Sequence, residues 1–564
     1  MRVCTFLTRI NFKKSEFHAV HKVLKVERHW VRKLVCWFYQ KNTKADRDAG
    51  GRTMEKVVGI DLGTTNSAIA AVDSFTGKGE CIQNKDGSNL TASAVCFQNR
   101  EELMIGNTAY ECKIIYPETT ATLVKRLIGV EKTAIAVDGK AYSPQQISAL
   151  VLKSMKEDAE TELGQTIHKA VITVPAYFDS NRRQATMEAG MEAGFEVLDL
   201  LDEPVAALYN ADTIRSYAGK TVLIYDLGGG TLDIVCAKIT ETSIDEIVIS
   251  GDNHLGGSDW DNTFISYIKS TNLKGVSLDA SAEQELANKA EMAKKELSRK
   301  NETSFTVMTS SGREEIRVTR EEFEHCTATL LNRAMNVLKE TKETLEEKGV
   351  FKLDQIILCG GSTRMPQIEQ GIAAIYPGVD IFAKDRDQAV AKGAAIYAEA
   401  LMKEKQPSVS RSEKFKPAKK LNRVTSRSYG IAAFTGEDEK KVCNMLFQNE
   451  GLPAEKKDVF YTKYDKQKQV GLEVFESIDD QRYKDIGDAS LLGKCYLNIN
   501  GDLPKHSPII VNIRMEENGV LYIHGYEESG KTEVTAHMQT QALLSSEDII
   551  AEKKQVDDIY VNIV

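Results

Sequence analysis

Two short turns in this chain are near-copies of each other, and they limit the folds that the chain can adopt. The first turn covers residues 61–65 (DLGTT), and the second covers residues 226–233 (DLGGGTLD). An apolar β-type run precedes each turn and another follows it. Both segments therefore predict a strand, a glycine turn and a second strand. Because the same unit recurs later in the chain, we expect a duplicated fold.

The residues of these turns suit a phosphate. Glycine has no Cβ, so backbone N–H groups can approach a phosphate closely. Asp61 and Asp226 can face a cation that bridges phosphates, and the threonine of each turn adds a hydroxyl donor. Either turn alone could be an ordinary tight hairpin, whereas the duplication favours phosphate binding. Two such turns facing each other would hold the phosphates of a nucleotide from both sides.

Length and composition predict several soluble domains. A chain of 564 residues is too long for one hydrophobic core, so we expect three or more domains. The sequence is 42% hydrophobic and 27% charged. It has no apolar run of about 18 residues, so it predicts no membrane span. The ten cysteines form no Cys-x-x-Cys pair. That pattern is typical of a reducing compartment, and we expect a cytoplasmic protein.

Charge is distributed unevenly along the chain. Residues 1–53 hold thirteen Lys or Arg against four Asp or Glu, although the whole chain has a net charge of −9. The remainder is therefore acidic, which makes nucleic acid a poor partner. Glu16 and Glu27 argue against a transit peptide in the basic leader. Our hypothesis is that this leader is not part of the native protein and that the native chain starts at Met54.

The pattern of elements changes once along the chain. From residue 54 to 401, strand-like runs alternate with helical patterns at 143–161, 180–193, 282–298 and 320–348, which predicts an α/β architecture. The basic, proline-containing segment 402–420 predicts an exposed linker. Residues 421–540 then show short alternating strands. In one of them Ile509, Val511, Ile513 and Met515 share a face, as in a small antiparallel β domain. The tail 541–564 predicts at most one short helix.

Two further segments are candidates for the nucleotide's base and ribose. A third glycine turn at residues 360–364 (GGSTR) follows an apolar strand and opens a helix. It could meet a phosphate or a flat base, or it could be a plain strand-to-helix connection. Glu291, Lys294 and Ser298 lie on one stripe of a helix. They could hydrogen-bond a ribose and a base edge, or form a solvated polar face.

Two charged residues beside apolar runs are candidates for the chemical step. Lys125 could stabilise the charge that develops on a γ-phosphate and orient a water molecule. Alternatively, its aliphatic stem covers apolar surface while its ammonium group stays in water. Glu203 follows an apolar run, where it could orient water or a hydrated cation, or merely cap an element.

Nine segments in this order and spacing resemble the DnaK-type seventy-kilodalton heat-shock chaperones. They are VVGIDLGTTNS (57–67), VKRLIG (124–129), VITVPAYFDSNRRQAT (171–186), DEPVAAL (202–208), YDLGGGTLDI (225–234), GDNHLGGSDWD (251–261), EMAKKELS (291–298), ILCGGSTRMP (357–366) and AVAKGAA (389–395). Residues 446–460 and the strands up to His524 resemble, more weakly, the peptide-binding domain of that family.

The resemblance implies an actin-like duplicated ATPase of two lobes, with ATP or ADP and Mg²⁺ in the central cleft, followed by a small antiparallel β-sandwich. It implies a weak basal ATPase that controls the binding of unfolded or extended polypeptide clients by the β domain. A J-domain cochaperone and a nucleotide-exchange factor are the further partners it implies. The implied sites are Asp61 and Asp226 facing Mg²⁺; Lys125, Glu203, Asp226 and Thr231 at the γ-phosphate and attacking water; Gly63, Thr64, Thr65, Asn66, Gly228, Gly229, Gly230 and Thr231 around the phosphates; and Glu291, Lys294, Ser298, Gly360, Gly361, Ser362, Arg364 and Asp387 on the adenosine side.

Two departures from the family pattern affect the β domain. The linker is basic where the family has an apolar, acidic run, and the helical lid over the bound peptide is almost wholly missing, so we expect fast peptide exchange. A nucleotide-gated adaptor with one dedicated partner is the main alternative function. An actin-like filament protein and a sugar or acetate kinase share the same ATPase core. The β domain argues against the filament, and the absence of an acceptor-binding motif argues against the kinase.

Overall fold

The computed structural model describes residues 56–99, 102–210, 217–309, 312–404, 419–436, 439–478, 480–499, 503–517, 519–527, 533–538 and 546–560. The predicted leader and most of the predicted linker lie outside these ranges. Within them, no helix has the length and apolar character needed to cross a lipid bilayer.

The first lobe contains a mixed sheet with the strand order β11-β10-β1-β2-β3, and β4 pairs with β2. The strands of this lobe are β1 (Val57–Asp61), β2 (Asn66–Val72), β3 (Gly79–Cys81), β4 (Thr91–Ala92), β5 (Val95–Phe97), β6 (Leu103–Ile105), β7 (Thr120–Ala121), β8 (Ile135–Val137), β9 (Lys140–Tyr142), β10 (Lys169–Val174) and β11 (Glu196–Asp202). β1 runs parallel to β10 and antiparallel to β2. The carboxyl ends of β1, β10 and β11 therefore meet at one edge of the sheet.

The second lobe repeats this arrangement. Its strands are β12 (Thr221–Leu227), β13 (Leu232–Ile239), β14 (Ser243–Asp252), β15 (Glu302–Thr309), β16 (Gly312–Thr319), β17 (Gln355–Cys359) and β18 (Asp380–Phe382). β12 is parallel to β17 and antiparallel to β13, as β1 is to β10 and β2. The order β17-β12-β13-β14 thus matches β10-β1-β2-β3. The predicted two-lobed α/β duplication is present in the fold.

The helices of the described chain are α1 (Asn107–Cys112), α2 (Pro144–Leu163), α3 (Ser180–Glu192), α4 (Glu203–Tyr209), α5 (Gly257–Thr271), α6 (Ala280–Leu297), α7 (Arg320–Cys326), α8 (Ala328–Glu347), α9 (Pro366–Ile375), α10 (Ala389–Glu404) and α11 (Ser546–Tyr560). The prediction of one helix over 320–348 is wrong at Thr327, which separates α7 from α8. The Thr327 hydroxyl donates to the Phe323 carbonyl at 2.7 Å, and its backbone (φ −99°, ψ 7°) is not helical. Threonine competes in this way with helical backbone bonding.

The two lobes share a buried layer built around the crossing of α4 and α10. Val57 of the first sheet and Val222 of the second belong to the same apolar cluster as both helices. The helices approach so closely that a Cβ on Gly393 of α10 would lie 1.6 Å from the Ala206 carbonyl oxygen of α4. Glycine is therefore required at this crossing, which joins the bases of the lobes.

The C-terminal third forms two antiparallel sheets, with orders β24-β21-β20-β23-β25 and β22-β26-β27-β28. Its strands, with the preceding strand of the linker, are β19 (Lys420–Asn422), β20 (Ser428–Phe434), β21 (Lys440–Leu446), β22 (Ala454–Tyr461), β23 (Gln469–Ser477), β24 (Tyr483–Asp485), β25 (Ala489–Asn498), β26 (Pro508–Met515), β27 (Leu521–Glu527) and β28 (Glu533–Met538). Ile509, Val511, Ile513 and Met515 are at most 3% exposed, which confirms their predicted shared face. They pack with residues of β20, β23 and β25 in one apolar core. β19 instead extends the sheet of the second lobe beside β14.

The last described helix, α11, packs on α2 and α3 of the first lobe. Val556 and Ile559 are buried in the core of that lobe. At the rim, Lys153 forms an ion pair with Asp557, and the Tyr560 hydroxyl donates to Glu157 at 2.7 Å. The predicted C-terminal tail therefore contains a helix that packs into the apolar core of the first lobe.

We expect Gly393→Ala to lower the free energy of unfolding by about 2–3 kcal/mol, because the added methyl group meets backbone at the helix crossing. Gly371→Ala in α9 is the matched control. Its Cβ would meet the flexible Met335 side chain, and alanine gains about 1 kcal/mol of helix propensity. Urea unfolding of both variants checks the expectation. Equal losses of stability would contradict it.

Candidate functional site

The two glycine turns face each other across the cleft between the lobes. A Cβ on Gly229 would lie 2.1 Å from the Thr65 hydroxyl oxygen, and one on Gly230 would lie 2.6 Å from the Thr64 methyl carbon. Side chains larger than hydrogen at these positions would fill the space between the turns. The structure thus places the two predicted turns opposite each other around one space.

Two carbonyl groups of the second turn, those of Gly228 and Gly229, are engaged within its own lobe. The Gly228 carbonyl accepts from the Gly257 N–H at 2.9 Å and from the Ser362 hydroxyl at 2.8 Å. The Gly229 carbonyl accepts from the Ser258 N–H at 2.9 Å. In the first turn, the Gly63 carbonyl accepts from the Ser93 hydroxyl at 2.7 Å. These bonds fix the shape of both turns.

The third glycine turn lies directly against the second. Gly360 adopts a φ of 76°, and a Cβ there would lie 2.5 Å from a carboxylate oxygen of Asp226. The structure therefore brings Ser362, Gly360 and Gly361 to the base of the cleft beside the carboxylate. Arg364, from the same turn, forms an ion pair with Asp387.

Several carboxylates crowd the floor of the cleft. Asp61 ends β1, and Asp226 in β12 lies opposite Asp233 in β13. Burial and the nearby Glu203 raise the pKa of Asp61 and that of Asp233 each to about 7. The pKa of Asp226 lies well above its usual value for the same reasons, with Asp233 and Asp61 adding to the rise. This gathering of like charges favours protonation or a bound cation.

One buried lysine opposes this negative charge. Lys125 lies in a 3₁₀ turn (Val124–Arg126), is 5% exposed and forms an ion pair with Glu203 at the start of α4. Its cation lowers the pKa of Asp61 and of Asp233. The two residues predicted for the chemical step are thus in direct contact, and Lys125 is not a surface lysine.

The adjacent Arg126 connects the two lobes. Its guanidinium donates to the Gly230 carbonyl at 2.9 Å and forms an ion pair with Asp259 near the start of α5. The Gly256 N–H also donates to Asp259, at 2.7 Å. Arg126 of the first lobe therefore holds the glycine turn of the second.

Two of the residues predicted on the adenosine side, Lys294 and Ser298, differ in what they contact. Lys294 is 8% exposed, and its ammonium group donates to the Gly257 carbonyl and to Asp261, both at 2.8 Å, next to the second turn. Ser298 lies one turn further along, and its hydroxyl donates to the Lys294 carbonyl at 3.2 Å. Lys294 therefore borders the cleft, whereas the Ser298 hydroxyl is engaged with its own helix.

Glu291 closes the outer part of the cleft. The Tyr110 hydroxyl of α1 donates to Glu291 of α6, a contact between the two lobes. Lys295 also binds Glu291, at 2.5 Å. Beside these residues lies a cavity of about 220 Å³ that Thr65 and Asn66 also line. Tyr110 and Lys295 thus join the predicted residues around one space.

A family model described as "Hsp70 protein" matches residues 57–559. The chain belongs to the Hsp70 family. The resemblance found in the sequence is confirmed. Hsp70 proteins are in general ATP-dependent chaperones that bind ATP or ADP with Mg²⁺. They generally bind unfolded polypeptides, J-domain cochaperones and exchange factors.

The cleft suits the Mg²⁺·nucleotide that Hsp70 proteins bind. Two lobes present glycine turns to one space, where a side chain would obstruct phosphates, and the carboxylates below carry the ligand type that Mg²⁺ prefers. In the described ranges, no three His, Cys, Asp or Glu side chains converge tightly enough to chelate a metal ion. This arrangement fits a cation held largely by phosphate oxygens and water, with Asp61 and Asp226 facing it.

Four residues that line or bridge the cleft are not among those predicted from the sequence. Asp233 stands in the duplicated turn itself and could have been proposed from its position opposite Asp226 in a strand–turn–strand hairpin. Arg126 follows Lys125 directly, but its role depends on a contact with the other lobe. Tyr110 and Lys295 meet at Glu291, and Tyr110 lies 181 residues from it in sequence. No local pattern predicts that last contact.

We expect Mg²⁺·ATP binding to release protons near pH 7. Asp61 and Asp233 have pKa values of about 7 in the free cleft, and a bound cation favours their ionised forms. Affinity should therefore fall as the pH is lowered through 7. Calorimetry in two buffers of different ionisation enthalpy measures the protons released. Asp233→Asn should release fewer protons, and the exposed Asp86→Asn should match the wild type. Equal release by Asp233→Asn and the wild type would contradict this assignment.

We expect Tyr110→Phe to accelerate ADP release roughly tenfold, because one hydrogen bond to a charged group across the cleft is lost. Stopped-flow displacement of a fluorescent ADP measures the rate. Tyr116→Phe, which alters a second tyrosine of the apolar cluster that contains Tyr110, is the control and should leave the rate unchanged. Identical rates for the two variants would show that the Tyr110 contact does not restrain the lobes.

Proposed function

We propose that this protein is an ATP-driven chaperone whose cleft hydrolyses ATP and whose β domain binds extended apolar segments of polypeptides. The observation that carries the proposal is the pair of glycine turns facing each other over buried carboxylates and the Lys125–Glu203 ion pair. Such a site catalyses phosphoryl transfer to water by positioning and charge stabilisation.

Each residue of the cleft has a role in this proposal. Mg²⁺ would neutralise the charge of the phosphates, with Asp61 and Asp226 facing it. Lys125 supports the γ-phosphate as negative charge develops on the transferring group. Glu203, held by Lys125, orients the attacking water, and the Thr231 hydroxyl, in a residue that is 6% exposed, supports the phosphate.

The surface of the β domain supports peptide binding. Phe434, Tyr461 and Tyr464 are 47%, 63% and 61% exposed, at or near the ends of β20 and β22. The Lys463 ammonium lies 3.5 Å from the centre of the Phe434 ring, so the loops after these two strands meet. We propose that this β-sandwich binds clients as added strands, with backbone hydrogen bonds giving affinity and apolar contacts giving selectivity.

An ion pair at the start of the β domain supports the proposal that the domains communicate. Arg423 follows β19 and binds Asp199 of β11 at 2.8 Å, four residues before Glu203. This ion pair connects the start of the β domain to the first lobe. We propose that ATP binding and hydrolysis switch the β domain between loose and tight grip on its clients.

The cytoplasm is the compartment that we propose. The eight cysteines of the described ranges are free thiols, which suits reducing conditions. A J-domain cochaperone and an exchange factor are the proposed regulators.

ATP turnover with and without a panel of apolar peptides tests the proposed function. We expect weak basal hydrolysis that peptides stimulate, and a loss of about a hundredfold or more in Lys125→Ala, because a preorganised cation at the γ-phosphate is removed. The exposed Lys132→Ala in the same lobe is the control and should match the wild type.

Two outcomes would change the proposal. Unchanged turnover in Lys125→Ala would remove this residue from the mechanism. Normal hydrolysis with no response to any peptide would favour the nucleotide-gated adaptor with one dedicated partner.

A further inference from the structure

A buried arginine of the β domain lies two contacts away from the carboxylates of the cleft. Arg427 directly precedes β20 and is 3% exposed. Its guanidinium donates to the Tyr177 carbonyl and lies 3.9 Å from the centre of the Tyr177 ring. Arg427 thus holds Tyr177 by its backbone and by its side chain at once.

Tyr177 also holds a carboxylate on the floor of the cleft. Its N–H donates to Asp233 at 2.9 Å, and its carbonyl accepts a second bond, from Asn253, at 3.2 Å. The Tyr177 side chain packs so close to Gly251 that a Cβ there would lie 2.9 Å from the Tyr177 Cβ. Since Gly251 pairs with Asp233 across β14 and β13, Tyr177 cannot shift without moving the bond to Asp233.

A buried arginine at this position would lower the stability of the fold unless it made these contacts. Removing a guanidinium from water carries a large penalty that only hydrogen bonds and nearby charge offset. One terminal nitrogen of Arg427 has no hydrogen-bond partner among the described residues. The contacts with Tyr177 therefore stabilise the buried cation, and they exist only while the β domain rests on the lobes.

Other contacts hold the β domain against the lobes without touching Tyr177. The Ile249 N–H of β14 donates to the Asn449 side chain at 2.7 Å, and the Gln448 side chain donates to the Ile249 carbonyl at 3.2 Å. In the first lobe, the Ser180 hydroxyl donates to Glu476 at 2.9 Å. Variants of these bonds therefore weaken the docking of the β domain without removing the contact between Arg427 and Tyr177.

We propose that Arg427 is a positioning residue that links the β domain to the ATPase cleft, by holding Tyr177 so that its N–H fixes Asp233. This inference rests on the proposed function and assigns its regulation to one side chain. A change at the phosphates that moves Asp233 also moves Tyr177 and so alters its contact with Arg427. When the β domain leaves the lobes, Tyr177 loses this contact and no longer fixes Asp233. Such coupling is reciprocal in its free energy.

Single-turnover ATP hydrolysis by the full chain, with and without an apolar peptide, tests the proposal. In Arg427→Met we expect peptide stimulation to fall about fivefold or more, while the chain still binds Mg²⁺·ATP. Arg427→Lys keeps the charge and a donor and should restore part of the stimulation. Gln448→Ala loses an interface contact away from Tyr177 and should keep the stimulation of the wild type.

A second measurement does not depend on peptides. The Ile249 amide reports docking, because it donates to Asn449 of the β domain, and its hydrogen exchange can be compared with Mg²⁺·ATP and with Mg²⁺·ADP. We expect the exchange to depend on the nucleotide in the wild type and in Gln448→Ala, and to lose that dependence in Arg427→Met.

The outcomes distinguish the inference from the proposed function. If the wild type binds no peptide but the Ile249 amide still responds to nucleotide through Arg427, peptide binding fails and the inference stands. If Arg427→Met keeps both responses, or if Gln448→Ala loses them equally, Arg427 has no special role and the inference is wrong.

Discussion

Several carboxylates share the floor of one cleft, and the cost of keeping their charges together governs the rest of the site. Asp61 comes from one lobe, Asp226 and Asp233 come from the other, and burial raises the pKa of each. Lys125, which is ion-paired with Glu203, offsets part of that negative charge. A Mg²⁺·nucleotide would supply the remaining positive charge, so its binding free energy depends on how closely the lobes approach. A contact that changes the distance between the lobes therefore changes the affinity for nucleotide.

The fold restricts how the lobes can move. At their base, Gly393 of α10 lies against the Ala206 backbone of α4, and the two sheets share one buried layer. At the top of the cleft, Arg126 and Tyr110 reach from the first lobe to the second. A tight crossing at one end and a few polar contacts at the other favour rigid-body opening about the base.

The β domain contacts the first lobe through two arginines near its start, Arg423 and Arg427. A basic linker replaces the apolar, acidic run that the family resemblance implies, yet Arg423 has an acidic partner in Asp199. β19 adds a strand to the sheet of the second lobe. Arg427 lies against Tyr177, whose N–H donates to Asp233 on the floor of the cleft.

Local spacing along the chain is enough to predict the duplicated strand–turn–strand units and the buried face of β26, because both depend on the order of residues within one short segment. The sequence also pointed to Lys125 and Glu203 as residues, but not to their ion pair. The docking of α11 on the first lobe and the contact between Tyr110 and Glu291 become visible only in the folded chain. Such features arise from packing between distant segments, which overrides local propensity and leaves no periodic pattern in the sequence.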